Sequence, residues 1–254
     1  RRPINRLDRF FGIGYIRHRP PASIPHTDTH MNHDNTTSHI SSRYDAEVEN
    51  TIPYYAAMHE ETLRFVKAYN ARPRAWLDTG CGTGNLALGI TERFAPDELV
   101  LADPSADMLD IARAKMAGAN VRFVQAETCA LELPDDHFDV ITAIQSHHYY
   151  SAPERAGATA RCFRLLKKGG LYITFENTRP SSEAGTAIVK EYWRRFQVER
   201  GKTAEQAADH LARFDTKFFP ITVDEHLALY RDTGFAVVDC FWRSYIQAGF
   251  YCVR

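Results

Sequence analysis

No stretch of the 254 residues stays apolar for long: Asp, Arg, Lys or His interrupts every hydrophobic run short of the ~18 residues a membrane helix needs. No membrane partner is expected. A surplus of charge is missing too, with 31 Lys and Arg against 32 Asp and Glu. The global basic field of a phosphate-tracking protein is therefore absent, and nucleic acid is not expected as a partner. Cysteine is sparse: residues 81, 129, 162, 240 and 252 stand singly, with no CxxC pair of the zinc or redox kind. They read as reduced thiols of a cytoplasmic protein. What is present is the composition of a globular chain, 44% hydrophobic and 25% charged, long enough to bury one large core.

The N-terminal tract is unlike the rest. Arg1, Arg2, Arg6, Arg9, Arg17 and Arg19 face one acid, Asp8, and no apolar periodicity follows that could dock on a core. Met31 sits where a natural start fits, so residues 1–30 read as upstream or leader sequence in preference to a transit peptide. Residues 1–40 together are expected to form a disordered leader. His26, His30, His33 and His39 lie in it among Thr, Asn, Asp and Ser, without the carboxylate or thiol geometry of a metal site, and no metal is expected.

From residue 74 onward, short apolar runs alternate with amphipathic stretches, the pattern of βαβ units in a parallel sheet. The runs 75–78, 99–102, 121–125, 140–144 and 171–175 are rich in aliphatic and aromatic residues, as strands buried on both faces must be. Lys167, Lys168, Gly169 and Gly170 read as a helix C-terminus that fixes the start of the fifth strand. Thr203 with Gln206 and Thr222 with Glu225 read as capping boxes. Residues 235–242 and 249–253, joined across 244–248, suit a closing antiparallel hairpin at the sheet edge. Two helical stretches, 46–71 and 182–214, fall outside this plan. They are expected over the carboxyl ends of the strands, where open α/β sheets bind ligands.

The first run ends in Trp76-Leu77-Asp78-Thr79-Gly80-Cys81-Gly82-Thr83-Gly84 and leads into a helix near Asn85. Glycines there admit positive φ and a close ligand. A dinucleotide fingerprint would put its third glycine at position 85, which is Asn. The spacing GxGxG, with an acid two residues before the first glycine, instead resembles motif I of the class I S-adenosylmethionine-dependent methyltransferases. Asp103, nineteen residues after Gly84, ends the second strand, where a carboxylate can take both ribose hydroxyls. Its other reading is a cap for the helix from Ser105. Gln125-Ala126-Glu127-Thr128 resembles the family's adenine-contact segment, although Gly-Asp-Ala is the usual pattern. Asp139 reads as structural, and Gln145 ends the fourth strand. Tyr44-Asp45, Ile52-Pro53-Tyr54-Tyr55 and the ending 242–254 are loosely similar to the carboxy-S-adenosylmethionine synthase branch.

The resemblance implies a Rossmann-like doubly wound seven-stranded sheet, five parallel strands plus the hairpin, in a methyltransferase domain over 41–254 with lid elements 46–71 and 182–214. It implies S-adenosyl-L-methionine as cofactor, S-adenosylhomocysteine as product, and cofactor contacts from Asp78, Gly80, Cys81, Gly82, Gly84, Asp103, Pro104, Met108, Ala126, Glu127, Thr128 and Gln145. The acceptor is expected to be a small molecule lined by Tyr54, Tyr55 and Tyr149, with Tyr150 a further aromatic candidate; a homodimer stays open. His147 and His148 are candidates for a general base, or else wall residues; such a base is needed only when the acceptor must lose a proton. Arg194 and Arg195 read as a solvated face more readily than an anion site. Carboxymethyl chemistry and a non-catalytic cofactor-binding role are the alternatives.

Overall fold

The computed structural model describes residues 37–254. The leader expected before them, with His26, His30, His33 and the start at Met31, lies outside the described residues. Where the expected leader overlaps them, the outcome differs. His39 is buried, with Nδ1 3.0 Å from Glu47 Oε2, because α1 (Tyr44–Glu47) turns a carboxylate back onto it.

The five expected runs are strands β1 (Ala75–Thr79), β2 (Glu98–Asp103), β3 (Val121–Gln125), β4 (Phe138–Ile144) and β5 (Leu166–Asn177). All pair in parallel. β6 (Val237–Ser244) and β7 (Gln247–Val253) complete the order β3-β2-β1-β4-β5-β7-β6, with β7 antiparallel to both neighbours. Every residue of β1 is buried, as a central parallel strand with helices on both faces requires. Trp76 shows the local logic. Its ring is fully buried, which is worth roughly 1.5–3 kcal/mol for a large side chain. Its indole N–H is satisfied by Thr142 Oγ1 at 3.1 Å, and that hydroxyl donates in turn to Asp78 Oδ1 at 2.7 Å.

Two boundaries depart from expectation. β5 begins at Leu166, before the two glycines: Phe138 pairs with Leu166 and Val140 with Leu171, so 167–170 bulge out of the ladder. The bulge is held by Gly169 N–H on Arg254 O at 2.7 Å and by Lys167 Nζ on Asp139. Asp139 also takes the amides of Arg74 and Ala75, the structural part expected of it. The hairpin turn is shorter than 244–248, because Tyr245 adopts a left-handed φ of 51° and lets both strands run on to a two-residue connection.

Helices α2 (Tyr55–Tyr69), α3 (Asn85–Arg93), α4 (Ala106–Lys115), α5 (Ala152–Leu165), α6 (Glu183–Glu199), α7 (Ala204–Ala212) and α8 (Val223–Thr233) fill the connections. Both expected capping boxes open helices, α7 at Thr203 and α8 at Thr222. Of the two stretches expected as a lid, α6 and α7 enclose their own small core of Trp193, Leu211, Phe214 and Phe218. α2 is different: Met58, Leu63 and Val66 pack into the main core with Trp76, Ile173 and Phe175, so most of 46–71 is body. Its apolar stripe decides this, since those side chains lose water only against the sheet. Among the described residues no helix is long and apolar enough to cross a membrane.

Candidate active site

A cavity of about 380 Å³ opens at the carboxyl ends of β1, β2 and β4. Its floor is the glycine turn. Gly80 and Gly82 take φ of 64° and 53°, and a Cβ on Gly80 would lie 2.3 Å from Ser146 Cβ, so only glycine lets the turn pass. Asp103, at the end of β2, fixes the turn: its Oδ2 accepts Gly82 N–H at 2.9 Å and its Oδ1 accepts Ser105 N–H at 2.9 Å. The cap of α4 is Ser105 itself, whose hydroxyl accepts Met108 N–H. Asp103 therefore supports the helix entry and borders the cavity at once.

The walls are acidic. Asp78, Asp103, Glu127 and Glu154 all line the cavity. Burial pushes Asp78 up to about 7, with Asp103 adding to the shift and the Thr142 hydroxyl opposing it. Burial, with Asp103 and Asp78, also drives the Cys81 thiol well above its ordinary range, so Cys81 is a neutral wall and not a thiolate. At the end of β4, Gln145 adopts a φ of 56°, a conformation that costs a non-glycine residue roughly 1–3 kcal/mol. Its side-chain amide is buried with neither atom partnered. Strain combined with orphaned polar atoms makes Gln145 a candidate ligand contact.

Of the residues expected at the cofactor, Asp78, Gly80, Cys81, Gly82, Asp103, Pro104, Met108, Glu127 and Gln145 line the cavity. Gly84, Ala126 and Thr128 do not. Gly84 caps α3 and lies against Ala112, where a Cβ would come within 3.2 Å. Ala126 supplies only a backbone N–H to Asp103 O, and Thr128 spends its hydroxyl on Thr79 at 2.7 Å. Tyr55 and Tyr149 line the cavity as expected. Tyr54 is 60% exposed, turned outward by its left-handed φ of 58° onto Trp242 and Tyr245.

Neither candidate base reaches this cavity. His147 is sandwiched between Thr128 Oγ1 and the Tyr172 hydroxyl, both at 3.1 Å, and burial lowers it to about 4. His148 is held through Nδ1 by Glu176 at 3.0 Å and faces a smaller chamber beneath the lid. Arg194 and Arg195 pair with Glu191 on α6, the solvated face expected of them.

Sequence reasoning missed His59 and Glu176, whereas Tyr150 lines the cavity as the aromatic candidate it was expected to be. His59 lines the cavity from α2, with its ring 4.5 Å from Tyr55. Tyr150 accepts Thr128 N–H at 3.3 Å and hydrogen-bonds Glu127. Glu176, fully buried on β5, accepts the amides of His147 and His148 as well as the Thr174 hydroxyl. Asp45 straps α1 to the glycine turn: it accepts from Thr83 at 2.6 Å and from Asn85 at 2.8 Å, and pairs with Lys115. The Asn85 that departs from a dinucleotide fingerprint thus belongs to this strap.

The methyltransferase-domain family matches residues 77–170. The demethylmenaquinone methyltransferase of Thermus thermophilus is 32% identical over 160 residues, 62% of this chain and 71% of that protein. The carboxy-S-adenosyl-L-methionine synthase of Campylobacter lari is 21% identical over 202 residues, covering 80% and 86% of the two chains. Against the ubiquinone/menaquinone C-methyltransferase of Marinomonas sp., 33% identical, the chain spans about half the relative's length, 54%. The solved YcgJ protein of Bacillus subtilis shares the fold, with a TM-score of 0.56, 22% identity and coverage of 72% and 71%. The chain belongs to the class I S-adenosylmethionine-dependent methyltransferases.

Proposed function

We propose that this chain transfers a methyl group from S-adenosylmethionine to a small-molecule acceptor enclosed between the cofactor cavity and the α6–α7 lid. One observation carries the reading: the Gly80–Gly82 turn, braced by Asp103, and the orphaned amide of Gln145 converge on one acid-walled cavity. Those residues fit the cofactor. Carboxylates suit hydroxyl and ammonium groups and the positive sulfur, and a Cβ at Gly80 would fill the cradle. When bound, the cofactor supplies an electrophilic methyl group.

The protein's own task is alignment. Holding two reactants in line is worth roughly 7–11 kcal/mol of barrier, which needs no protein nucleophile. Tyr44, Tyr55 and Tyr149 give the acceptor an aromatic wall, and the Asp45 strap with the lid keeps water out, which strengthens every polar contact inside. Titration calorimetry with S-adenosylmethionine and S-adenosylhomocysteine, followed by transfer of isotope-labelled methyl to a panel of small acceptors, tests the reading. We expect binding of both and labelled product. Absence of binding overturns it, and binding without any transfer favours a non-catalytic cofactor-binding protein.

A further inference from the structure

Four carboxylates wall the main cavity, Asp78, Asp103, Glu127 and Glu154, yet S-adenosylmethionine brings a carboxylate of its own beside its ammonium and sulfonium groups. Like charges repel, so that carboxylate needs a donor set away from the acids. Glycine turns of nucleotide sites commonly hold anions on their backbone amides. Here three of those amides are engaged inside the protein. Cys81 N–H goes to Ala102 O at 3.0 Å, Gly82 N–H to Asp103 Oδ2 at 2.9 Å, and Gly84 N–H to Cys81 O at 3.0 Å. The ligand's carboxylate is left to a side chain.

Among the described residues that line the cavity, His59 alone is basic. It stands one turn after Tyr55 on α2, so both face the cavity while Met58, Leu63 and Val66 anchor the helix in the core. Its ring meets Tyr55 edge-on at 4.5 Å, and no hydrogen bond to a described residue engages its nitrogens. The charged group that acts on it is a cation, Lys115, whose Nζ is held in turn by Asp45, Thr83 and Asn85. Burial and Lys115 lower His59 to about 4, so it is a neutral imidazole with one N–H to give.

The other polar walls suit an anion less. Tyr55 is bonded to Tyr44 and feels Asp45 and Asp78, and Tyr150 is bonded to Glu127. Gln145, with Tyr44 and Tyr149, forms the partition between the cavity and the smaller chamber under the lid. At His59 a donor and a positive field coincide. We propose that His59 holds the carboxylate of the bound cofactor through a ring N–H and fixes the amino-acid end of that ligand against α2. The cavity thereby distinguishes a cofactor with an intact amino-acid tail from adenosine thioethers that lack the carboxylate. The assignment rests on the cofactor part of the methyl-transfer reading and adds the anion's partner to it.

Titration calorimetry of the full chain compares S-adenosylhomocysteine with S-adenosyl-3-thiopropylamine, the same molecule without its carboxylate. Removing the carboxylate also leaves a net positive ligand for the acid walls, so the informative quantity is how the ratio of the two affinities changes between variants. His59→Leu should weaken S-adenosylhomocysteine about tenfold or more, the size of one hydrogen bond to a charged group, and the decarboxylated ligand less than about threefold. His59→Gln keeps an N–H donor and should recover part of the ratio. His59 makes no hydrogen bond within the described fold and Leu is the better helix former, so His59→Leu should fold, as thermal melts will check. An unchanged ratio in His59→Leu, whether both affinities fall together or neither does, would overturn the proposal. If neither ligand binds the parent, the cofactor reading fails and the proposal with it; if S-adenosylhomocysteine binds and the ratio does not move, the proposal alone fails.

Discussion

The cofactor cavity and the chamber under the lid sit side by side, share a partition, and are built by opposite means. The cavity is made mostly from strand ends and the turns after them, so its parts recur at regular intervals along the chain: Asp78 and Gly80, Asp103, Glu127, Gln145. The chamber draws His39, His148, His210 and Arg213 from segments far apart in sequence, and burial disfavours the charged forms of His39 and His210 in it. A site assembled from backbone turns tolerates changes of charge state. One assembled from neutral histidines does not.

Acid should separate the two. Burial lowers His59, His147 and His226 to about 4 from an ordinary 6.5. Between those values the unfolded chain binds their three protons and the folded chain does not, so stability is present above pH 6.5 and is lost as pH falls toward 4. Asp78, raised to about 7, keeps one proton in the folded state over the same window and offsets one of the three. These four groups leave a net two protons, a slope of roughly 3 kcal/mol per pH unit near pH 5, and His39 and His210, lowered by burial too, add to it in the same direction. His147 and His226 lie on the chamber side, while on the cavity side His59 and Asp78 cancel. Hydrogen exchange at pH 5 against pH 7.5 should therefore accelerate first in β5, α7 and α8; earlier loss of protection in β1 and β2 would contradict the comparison.

The glycine turn allows a sharper contrast. Gly80→Ala puts a methyl 2.3 Å from Ser146 Cβ on top of a left-handed φ, whereas Gly82→Ala meets nothing within 4 Å and bears the φ strain alone. That strain costs roughly 1–2 kcal/mol. Gly80→Ala should lower the melting temperature more and abolish measurable cofactor binding, while Gly82→Ala binds with reduced affinity. Equal effects in thermal melts and calorimetry would mean that the turn is not held by Ser146.

Asp103→Ala comes next in size. The carboxylate holds two amides of the fold as well as bordering the cavity, so cofactor affinity should drop at least tenfold, about 1.4 kcal/mol, together with a loss of stability. Asp103→Asn keeps an acceptor oxygen and should recover part of both. Unchanged affinity with lowered stability would reduce Asp103 to a brace for the turn.

The same division explains what could be read from the sequence. The five parallel strands, the glycine turn and both capping boxes follow from short apolar runs, glycine spacing and cap chemistry, and apart from the start of β5 and the hairpin turn they fall where those patterns put them. His147 and His148 look equivalent in sequence because they are adjacent; only the neighbours that fold around them, Thr128 and Tyr172 for one and Glu176 for the other, set them apart. Tyr54 and Tyr55 are adjacent as well, and one left-handed φ sends the first to solvent. Glu176 is invisible within a strand-like run, since a buried carboxylate is affordable only with donors that come from β4's end and from β5 itself.

The smallest expected effect probes how the lid is fastened. Trp193 on α6 is buried, and its indole N–H donates to Thr51 O at 2.7 Å, joining the lid to the segment that carries Asp45 and His39. Trp193→Phe keeps an aromatic ring in the small core with Leu211, Phe214 and Phe218 but removes the donor, leaving a carbonyl unsatisfied. Such a loss costs about 1–3 kcal/mol, with the low end expected because a smaller ring lets water approach the freed carbonyl. Trp193 walls the chamber and not the cofactor cavity, so S-adenosylhomocysteine affinity should stay within about threefold of the parent, under 1 kcal/mol, while amides of α6 and α7 exchange faster. If affinity falls with lid protection in equal measure, the strap through Asp45 transmits the lid's position to the glycine turn, and the two spaces act as one site.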